Sequence, residues 1–174
     1  LDTLSEVISL HLIEQVKAGA QAVQLFDTWA GLCPATHFEK WIISPTQKIV
    51  STLKKTFPDL PIIGFPKGIG ANLITYVSQT KVSGLSLDGG TPLSWVRENL
   101  PPPLILQGNL DPVLLVSGGE GLKRAILSIH EEMQGRPYIF NLGQGILPQT
   151  PLADVEECVQ IVKEKKKKKR PLFF

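Results

Sequence analysis

Hydrophobic residues along this chain follow two alternating patterns. Longer segments carry them every three or four residues, which predicts amphipathic helices, and shorter continuous apolar runs between these predict buried strands. The predicted helices cover residues 4–16, 37–55, 72–80, 92–99, 119–133 and 152–163. The predicted strands cover residues 22–27, 62–65, 84–88, 104–107 and 138–141. This regular strand-then-helix order implies parallel strands with right-handed crossovers, and therefore an α/β fold.

The apolar runs predict strands that are covered on both faces, as in parallel sheets. Pattern alone does not separate a doubly wound sheet from a (β/α)₈ barrel. Five strands are too few to close a barrel of eight, which typically needs about 250 residues, whereas this chain has 174. At helix boundaries, Thr91 and Thr150 are predicted N-caps that precede prolines, and Pro45 predicts a break or kink within residues 37–55.

Each predicted strand ends in polar or glycine-rich sequence. The five strand ends read FDTWAG, GFPKGIG, SLDGGTP, QGNLDP and NLGQG. Because the carboxyl ends of parallel strands converge on one rim, a site is expected there. For Asp27, Asp88 and Asp111, helix capping or strand-end hydrogen bonding is the alternative to a direct functional role.

The last strand end, within residues 138–151, carries the strongest local signal. Gly143 and Gly145 flank Gln144, and glycines there would allow positive φ and a close approach of the backbone to a ligand. The alternative is a strand-to-helix turn that only closes a layer of the fold.

Composition is that of an ordinary globular protein, with 43% hydrophobic and 20% charged residues. The sequence contains no apolar run long enough to cross a bilayer and no signal-peptide pattern, so we expect a cytoplasmic protein without a membrane partner. Cys33 and Cys158 form neither a disulfide framework nor a zinc motif, and the helical spacing of Cys158 predicts core packing. A chain that begins at Leu1 is expected to be a piece of a longer protein.

Basic residues are concentrated at the end of the chain, where residues 165–170 read KKKKKR. Without these six, 12 basic residues stand against 16 acidic ones, so residues 1–164 carry a net charge of −4. A negative net charge on the folded part of the chain does not predict a nucleic-acid partner. We therefore divide the chain into a folded part, residues 1–164, and a basic low-complexity tail, residues 165–174, predicted to be solvated and disordered.

Common catalytic motifs are absent from the sequence. There is no GxSxG elbow, no P-loop ending in GK[ST], and no metal-ligand spacing. His11 and His130 are predicted to be surface or packing residues, whereas His37 opens a helix after a loop.

Five stretches resemble the uroporphyrinogen decarboxylase family, in the order in which that family carries them. They are QLFDTWAG, PIIGFPKGIG, LDGGTPLSWVRE, LQGNLDP and FNLGQGILPQTP, and the resemblance runs from the first residue to Glu164. It covers only the C-terminal part of the family. It implies a partial (β/α)₈ TIM barrel made of about the last five βα units.

The resemblance also implies an activity, namely conversion of uroporphyrinogen to coproporphyrinogen in haem biosynthesis without any cofactor or metal. The partner would be this tetrapyrrole substrate, and a homodimer is expected of the full-length form. By the same resemblance, Thr28 and Phe26 contact substrate, and Gln144 stands where the family usually has histidine. The catalytic aspartate, arginines and tyrosine lie outside this chain, so the isolated chain is expected to be inactive.

Two alternatives remain at this point. The first is a non-catalytic barrel fragment that associates with a complementary partner, because an open barrel exposes sheet edges and apolar surface. The second is a related methyltransferase that uses zinc, against which the sequence offers no HxC pattern.

Overall fold

The computed structural model describes residues 1–168, in which helices and strands alternate as predicted. The strands are β1 (Val23–Asp27), β2 (Ile62–Pro66), β3 (Gly84–Ser86), β4 (Ile105–Leu110) and β5 (Tyr138–Leu142). The α-helices are α1 (Asp2–Lys17), α2 (Ser44–Thr56), α3 (Leu73–Thr80), α4 (Leu93–Asn99), α5 (Pro112–Ser117), α6 (Gly119–Glu132) and α7 (Leu152–Lys168). The chain divides into two compact units, Leu1–Ser86 and Leu87–Phe174. Five strands and their alternation with helices confirm the predicted α/β class.

The first unit is built on parallel strands β1, β2 and β3. Val23 pairs with Ile62 and Ile63 pairs with Gly84, so all three strands run in the same direction. On the helix side, Tyr76 of α3 is fully buried, and a Cβ on Gly64 would lie 2.6 Å from its hydroxyl oxygen. Glycine at position 64 therefore makes room for the tyrosine ring. Burial raises the pKa of Tyr76 to about 12, so this hydroxyl stays protonated at neutral pH.

A π-helix, Glu39–Ile43, runs directly into α2. Pro45 lies in the first turn of α2 and has no N–H to continue the hydrogen-bond ladder. The Thr46 hydroxyl donates to the carbonyl of Ile42 at 2.7 Å and so satisfies one carbonyl at this junction. The predicted break at Pro45 is confirmed, and its form is a change of helix type.

The second unit contains the parallel pair β4 and β5, in register from Leu106 with Tyr138 to Leu110 with Leu142. Two arginines tie α4 to the end of α6. The Arg97 guanidinium donates to the carbonyls of Glu132 and Gln134, and Arg136 donates to those of Leu100 and Pro101. These side chains pair with carbonyls at the end of α6 and in the segments that follow α4 and α6.

Helix α5 is not predicted by the sequence pattern, and two predicted N-caps are wrong. The side chain of Asp111 caps α5 by accepting from the N–H of Val113 at 2.9 Å. Helix α4 begins at Leu93, and the Thr91 hydroxyl donates to the Asp88 carboxylate instead of capping it. Helix α7 begins at Leu152 after the carbonyl of Pro151, and within the described residues the Thr150 hydroxyl has no hydrogen-bond partner.

The last helix is longer than predicted, since α7 continues to Lys168 instead of ending at residue 163. Lysine is a good helix former, so a lysine run can extend a helix that the apolar pattern no longer marks. Residues 169–174 of the predicted tail lie outside the described residues, and the division into 1–164 and 165–174 stays a prediction. No helix within residues 1–168 combines the length and apolar character needed to cross a membrane.

Candidate functional site

Phe26 and Thr28 lie at the carboxyl end of β1, in the first unit. The Phe26 side chain is 70% exposed and meets the ring of Phe65 edge-on, with 6.0 Å between ring centroids. Thr28 is exposed in the turn that follows the strand. Both side chains are therefore open to a ligand.

The loop that carries Thr28 is anchored to the loop after β2. The Gly31 N–H donates to the carbonyl of Lys67 at 2.9 Å, and the Lys67 N–H donates to the carbonyl of Asp27 at 3.1 Å. A Cβ on Gly31 would come within 2.6 Å of the Gly68 carbonyl oxygen. Glycine is required here because two backbones touch, and the contact fixes the position of the Thr28 turn.

Asp27 has a local structural role at the end of β1. Burial raises the pKa of its carboxyl above the ordinary value, and this effect outweighs the interaction with the backbone N–H of Trp29, which lowers the pKa. This interaction agrees with the strand-end alternative for Asp27.

In the second unit, Asp88 and Asp111 are also engaged locally. Asp88 Oδ1 accepts from the N–H of Gly90 at 2.9 Å and from the Thr91 hydroxyl at 3.2 Å. Asn109, which the sequence analysis did not single out, is buried and donates through Nδ2 to the carbonyls of Asp88 and Thr91 at 2.9 and 2.8 Å. The capping and strand-end interpretations of both aspartates are confirmed.

Gln144 follows β5 and is exposed. The preceding Gly143 donates its N–H to the carbonyl of Leu110 at 2.8 Å, so the turn is held to the end of β4. A Cβ on Gly143 would overlap the backbone of Gly89, whereas a Cβ on Gly145 would meet open space.

The predicted reason for these two glycines is therefore wrong in part. Neither Gly143 nor Gly145 has positive φ. The missing side chain of Gly143 serves contact between two loops of the protein and not a ligand's approach. Gln144 is exposed between Gly143 and Gly145, and its predicted contact with substrate stays a prediction.

The histidines and Cys158 behave as packing and surface residues. His130 stacks on Phe140, with 5.7 Å between ring centroids and 13° between planes. His37 contacts Trp41 at 4.2 Å between centroids, and His11 hydrogen-bonds Gln15 on an exposed face of α1. Cys158 is buried, as predicted. Over residues 1–168, no group of three or more His, Cys, Asp or Glu side chains is arranged to hold a metal ion.

Comparison with known proteins decides the family. The family model described as uroporphyrinogen decarboxylase (URO-D) matches residues 1–165. The chain belongs to the uroporphyrinogen decarboxylase family. The resemblance carried by the five strand-end stretches is thereby confirmed.

Curated relatives named uroporphyrinogen decarboxylase are similar over almost the whole chain. The protein of Rhizorhabdus wittichii is 46% identical over 163 residues, and those of Rhodospirillum rubrum and Sphingopyxis alaskensis are 42% and 44% identical. Each alignment covers 94% of this chain but only 47–48% of the relative. The chain thus spans about half the length of the curated uroporphyrinogen decarboxylases it matches.

Solved structures share the fold at lower identity. A methyltransferase from Methanosarcina mazei superposes with a TM-score of 0.80 at 22% identity, over 95% of this chain and 48% of that one. A putative vitamin-B12 independent methionine synthase from Listeria monocytogenes gives 0.65 at 15% identity, over 97% and 54%. This member of the uroporphyrinogen decarboxylase family covers about half of each of these two solved structures, which agrees with the predicted partial barrel.

Proposed function

We propose that this chain is the C-terminal part of a uroporphyrinogen decarboxylase, which converts uroporphyrinogen to coproporphyrinogen. Identity of 41–46% with curated uroporphyrinogen decarboxylases over most of the chain is the observation that carries the proposal. In the reaction, each of four acetate arms loses carbon dioxide and gains a proton in its place, leaving a methyl group. The test is coproporphyrinogen formation by the full-length protein, with zinc measured in the same sample to separate a decarboxylase from a zinc methyltransferase.

The chemistry explains why the proposed reaction runs without a cofactor. A protonated pyrrole ring accepts the electron pair that carbon dioxide leaves behind, so the substrate supplies its own electron sink. The protein has to supply protons, hold many carboxylates and stabilise transient positive charge on the ring. The groups that carry protons and charge belong, by family resemblance, to the part of the protein outside this chain.

The residues of this chain contribute to substrate binding in the proposal. Thr28 has a hydroxyl that can donate to a substrate carboxylate, and its turn is anchored through Gly31. Phe26 offers an exposed apolar ring to the pyrroles. Gln144 offers amide N–H donors from an accessible position after β5. We further propose a cytoplasmic enzyme that forms a homodimer at full length.

Association with a complementary segment is a second proposed function of the isolated chain. Helix α1 buries Ser5, Ser9 and Leu12, whereas Leu4 and Leu10 are 60% and 64% exposed. A cavity of about 300 Å³ is lined by residues of α1, β1 and α2. Leu4 lines this cavity, and exposed apolar surface beside a terminal strand is what a missing part of a barrel would cover.

The substitution Gln144→His should tighten substrate binding in the full-length protein. A neutral amide gives a carboxylate an ordinary hydrogen bond, whereas a protonated imidazole gives one roughly twice as strong. The extra ~1 kcal/mol predicts a KM about fivefold lower at pH 6. Because the imidazole must be charged, the gain should be complete below a pKa near ~6.5 and lost as pH rises through it.

Steady-state KM between pH 5.5 and 8.5 measures this effect. Gln149→His is the matched control, since Gln149 is exposed in the same loop, and we expect it to leave KM unchanged. If Gln144→His alters neither KM nor its pH profile, Gln144 is only a turn residue.

A further inference from the structure

The two faces of strand β5 differ in what covers them. Phe140 faces helix α6, since His130 of that helix stacks on its ring. Side chains alternate along a strand, so Ile139 and Asn141 lie on the opposite face. Ile139 is 43% exposed and Asn141 is exposed as well. The uncovered face of β5 therefore presents one apolar and one amide side chain.

Strand β4 places two further amide residues beside β5. Gln107 pairs with Ile139 and Asn109 pairs with Asn141 in the parallel register, and both residues of β4 are buried. The Asn109 amide is committed, because its Nδ2 donates to two backbone carbonyls. Of the paired residues Asn109 and Asn141, only Asn141 has an exposed side chain.

A backbone contact fixes the orientation of the Asn141 amide. The N–H of Leu142 donates to Asn141 Oδ1 at 2.8 Å. Only the oxygen end of an amide can accept, so the nitrogen end, with its two donors, is the end that remains. In the part of the chain that the structure describes, no group accepts a hydrogen bond from Asn141 Nδ2. The two N–H donors of Asn141 Nδ2, on an exposed strand end, suit an anion such as a carboxylate.

Asn141 lies on an anchored segment. Its own oxygen is tied to Leu142, and the following Gly143 is tied to Leu110 of β4. Gln144 comes three residues after Asn141 on the same stretch of chain. The carboxyl end of β5 thus carries two amide donors, of which Asn141 has the better-defined orientation.

We propose that Asn141 is a substrate-binding residue whose Nδ2 donates to a carboxylate of the tetrapyrrole. The assignment rests on the proposed function and adds a residue to it. A purely structural Asn141 would need only Oδ1, to accept from Leu142. A binding Asn141 needs Nδ2 as well, and this difference separates the two roles.

Asn141→Asp in the full-length protein tests the assignment. Aspartate keeps an oxygen for the Leu142 N–H but replaces both donors with a negatively charged acceptor. We expect KM for uroporphyrinogen to rise at least about tenfold at pH 7.5, the equivalent of one lost hydrogen bond to a charged group, with Tm unchanged. Affinity for uroporphyrin, measured by fluorescence titration, should fall by a similar factor.

Asn99→Asp is the matched control. Asn99 is exposed at the end of α4, where its Nδ2 donates to the carbonyl of Trp95, and the same added charge there should leave KM and affinity unchanged. If Asn141→Asp lowers Tm, the variant Asn141→Ser distinguishes a binding role from a structural one. A serine hydroxyl can still accept from the Leu142 N–H but reaches less far toward substrate. A several-fold rise in KM is then expected.

Failure of this assignment and failure of the proposed function give different results. If the wild-type protein turns over uroporphyrinogen and both Asn141 variants keep its KM, Asn141 serves the backbone alone and the assignment is overturned. If the wild-type full-length protein neither binds uroporphyrin nor forms coproporphyrinogen, the proposed function fails and the assignment fails with it.

Discussion

The isolated 174-residue chain is expected to form no coproporphyrinogen from uroporphyrinogen above the rate seen without protein. By family resemblance, the aspartate that holds the pyrrole N–H groups, the anchoring arginines and the tyrosine all lie outside this chain. Loss of a single preorganised electrostatic contact commonly costs ~10²–10³ in rate, so loss of several puts turnover below detection. The roles proposed for Thr28, Phe26 and Gln144 are binding contacts, which would not replace those groups.

Anaerobic incubation with uroporphyrinogen, followed by chromatographic separation of the oxidised porphyrins, measures this. The full-length protein under the same conditions is the positive control. Partially decarboxylated products formed by the isolated chain above background would show that it carries a proton donor of its own.

The isolated chain is also expected not to behave as a stable monomer. Leu4 and Leu10 of α1 are more than half exposed, as is Phe26 on β1. Burial of a leucine or phenylalanine is worth roughly 1.5–3 kcal/mol, so these side chains favour self-association when no other part of the protein covers them. Sedimentation velocity should show concentration-dependent species, and heating should give a broad transition or aggregation.

A double substitution, Leu4→Gln with Leu10→Gln, should reduce the self-association because it removes exposed apolar surface from α1. Glutamine and leucine have similar helix propensities, so the helix itself should persist. Lys17→Gln on the same helix is the control, and it should leave association unchanged. A single monomeric species with a cooperative unfolding transition in the unsubstituted chain would contradict this expectation and the partial-barrel interpretation behind it.

Much of the fold is predictable because strand and helix differ in hydrophobic period. The runs that became β1 and β2 are apolar and bounded by turn residues, and the structure places both within one residue of the prediction. Helix α5 escapes prediction because its six residues are nearly all apolar and show no periodicity. Its N-cap, Asp111, is visible in the sequence, since an aspartate before proline is a common helix start.

Tertiary contacts decide the features that local pattern leaves open. Thr91 and Thr150 look like N-caps, but the Thr91 hydroxyl donates to the Asp88 carboxylate, and α7 begins at Leu152, one residue beyond the position that an N-cap at Thr150 requires. The periodicity of α1 predicts a helix but does not show that Ser5 and Ser9 are buried while Leu4 and Leu10 are exposed.

In the candidate site too, tertiary contacts are not predictable from local sequence. Sequence identifies Gly143 as a residue that needs no side chain, but only the structure shows that the backbone of Gly89 fills the space. Asn109 and Asn141 carry no motif of their own. Their roles depend on the β4–β5 register and on hydrogen bonds to neighbouring backbone, which no single stretch of sequence contains.

Reconstitution tests most directly whether this chain supplies one part of a decarboxylase barrel and the rest of the protein supplies the other. The chain and the remaining segment of the full-length protein would be co-expressed as separate polypeptides, purified through a tag on one of them, and assayed for coproporphyrinogen formation. We predict that the two pieces co-purify in equal amounts and that the complex turns over uroporphyrinogen, which neither piece does alone. Pieces that do not associate, or a complex without turnover beside an active full-length protein, would contradict this central claim.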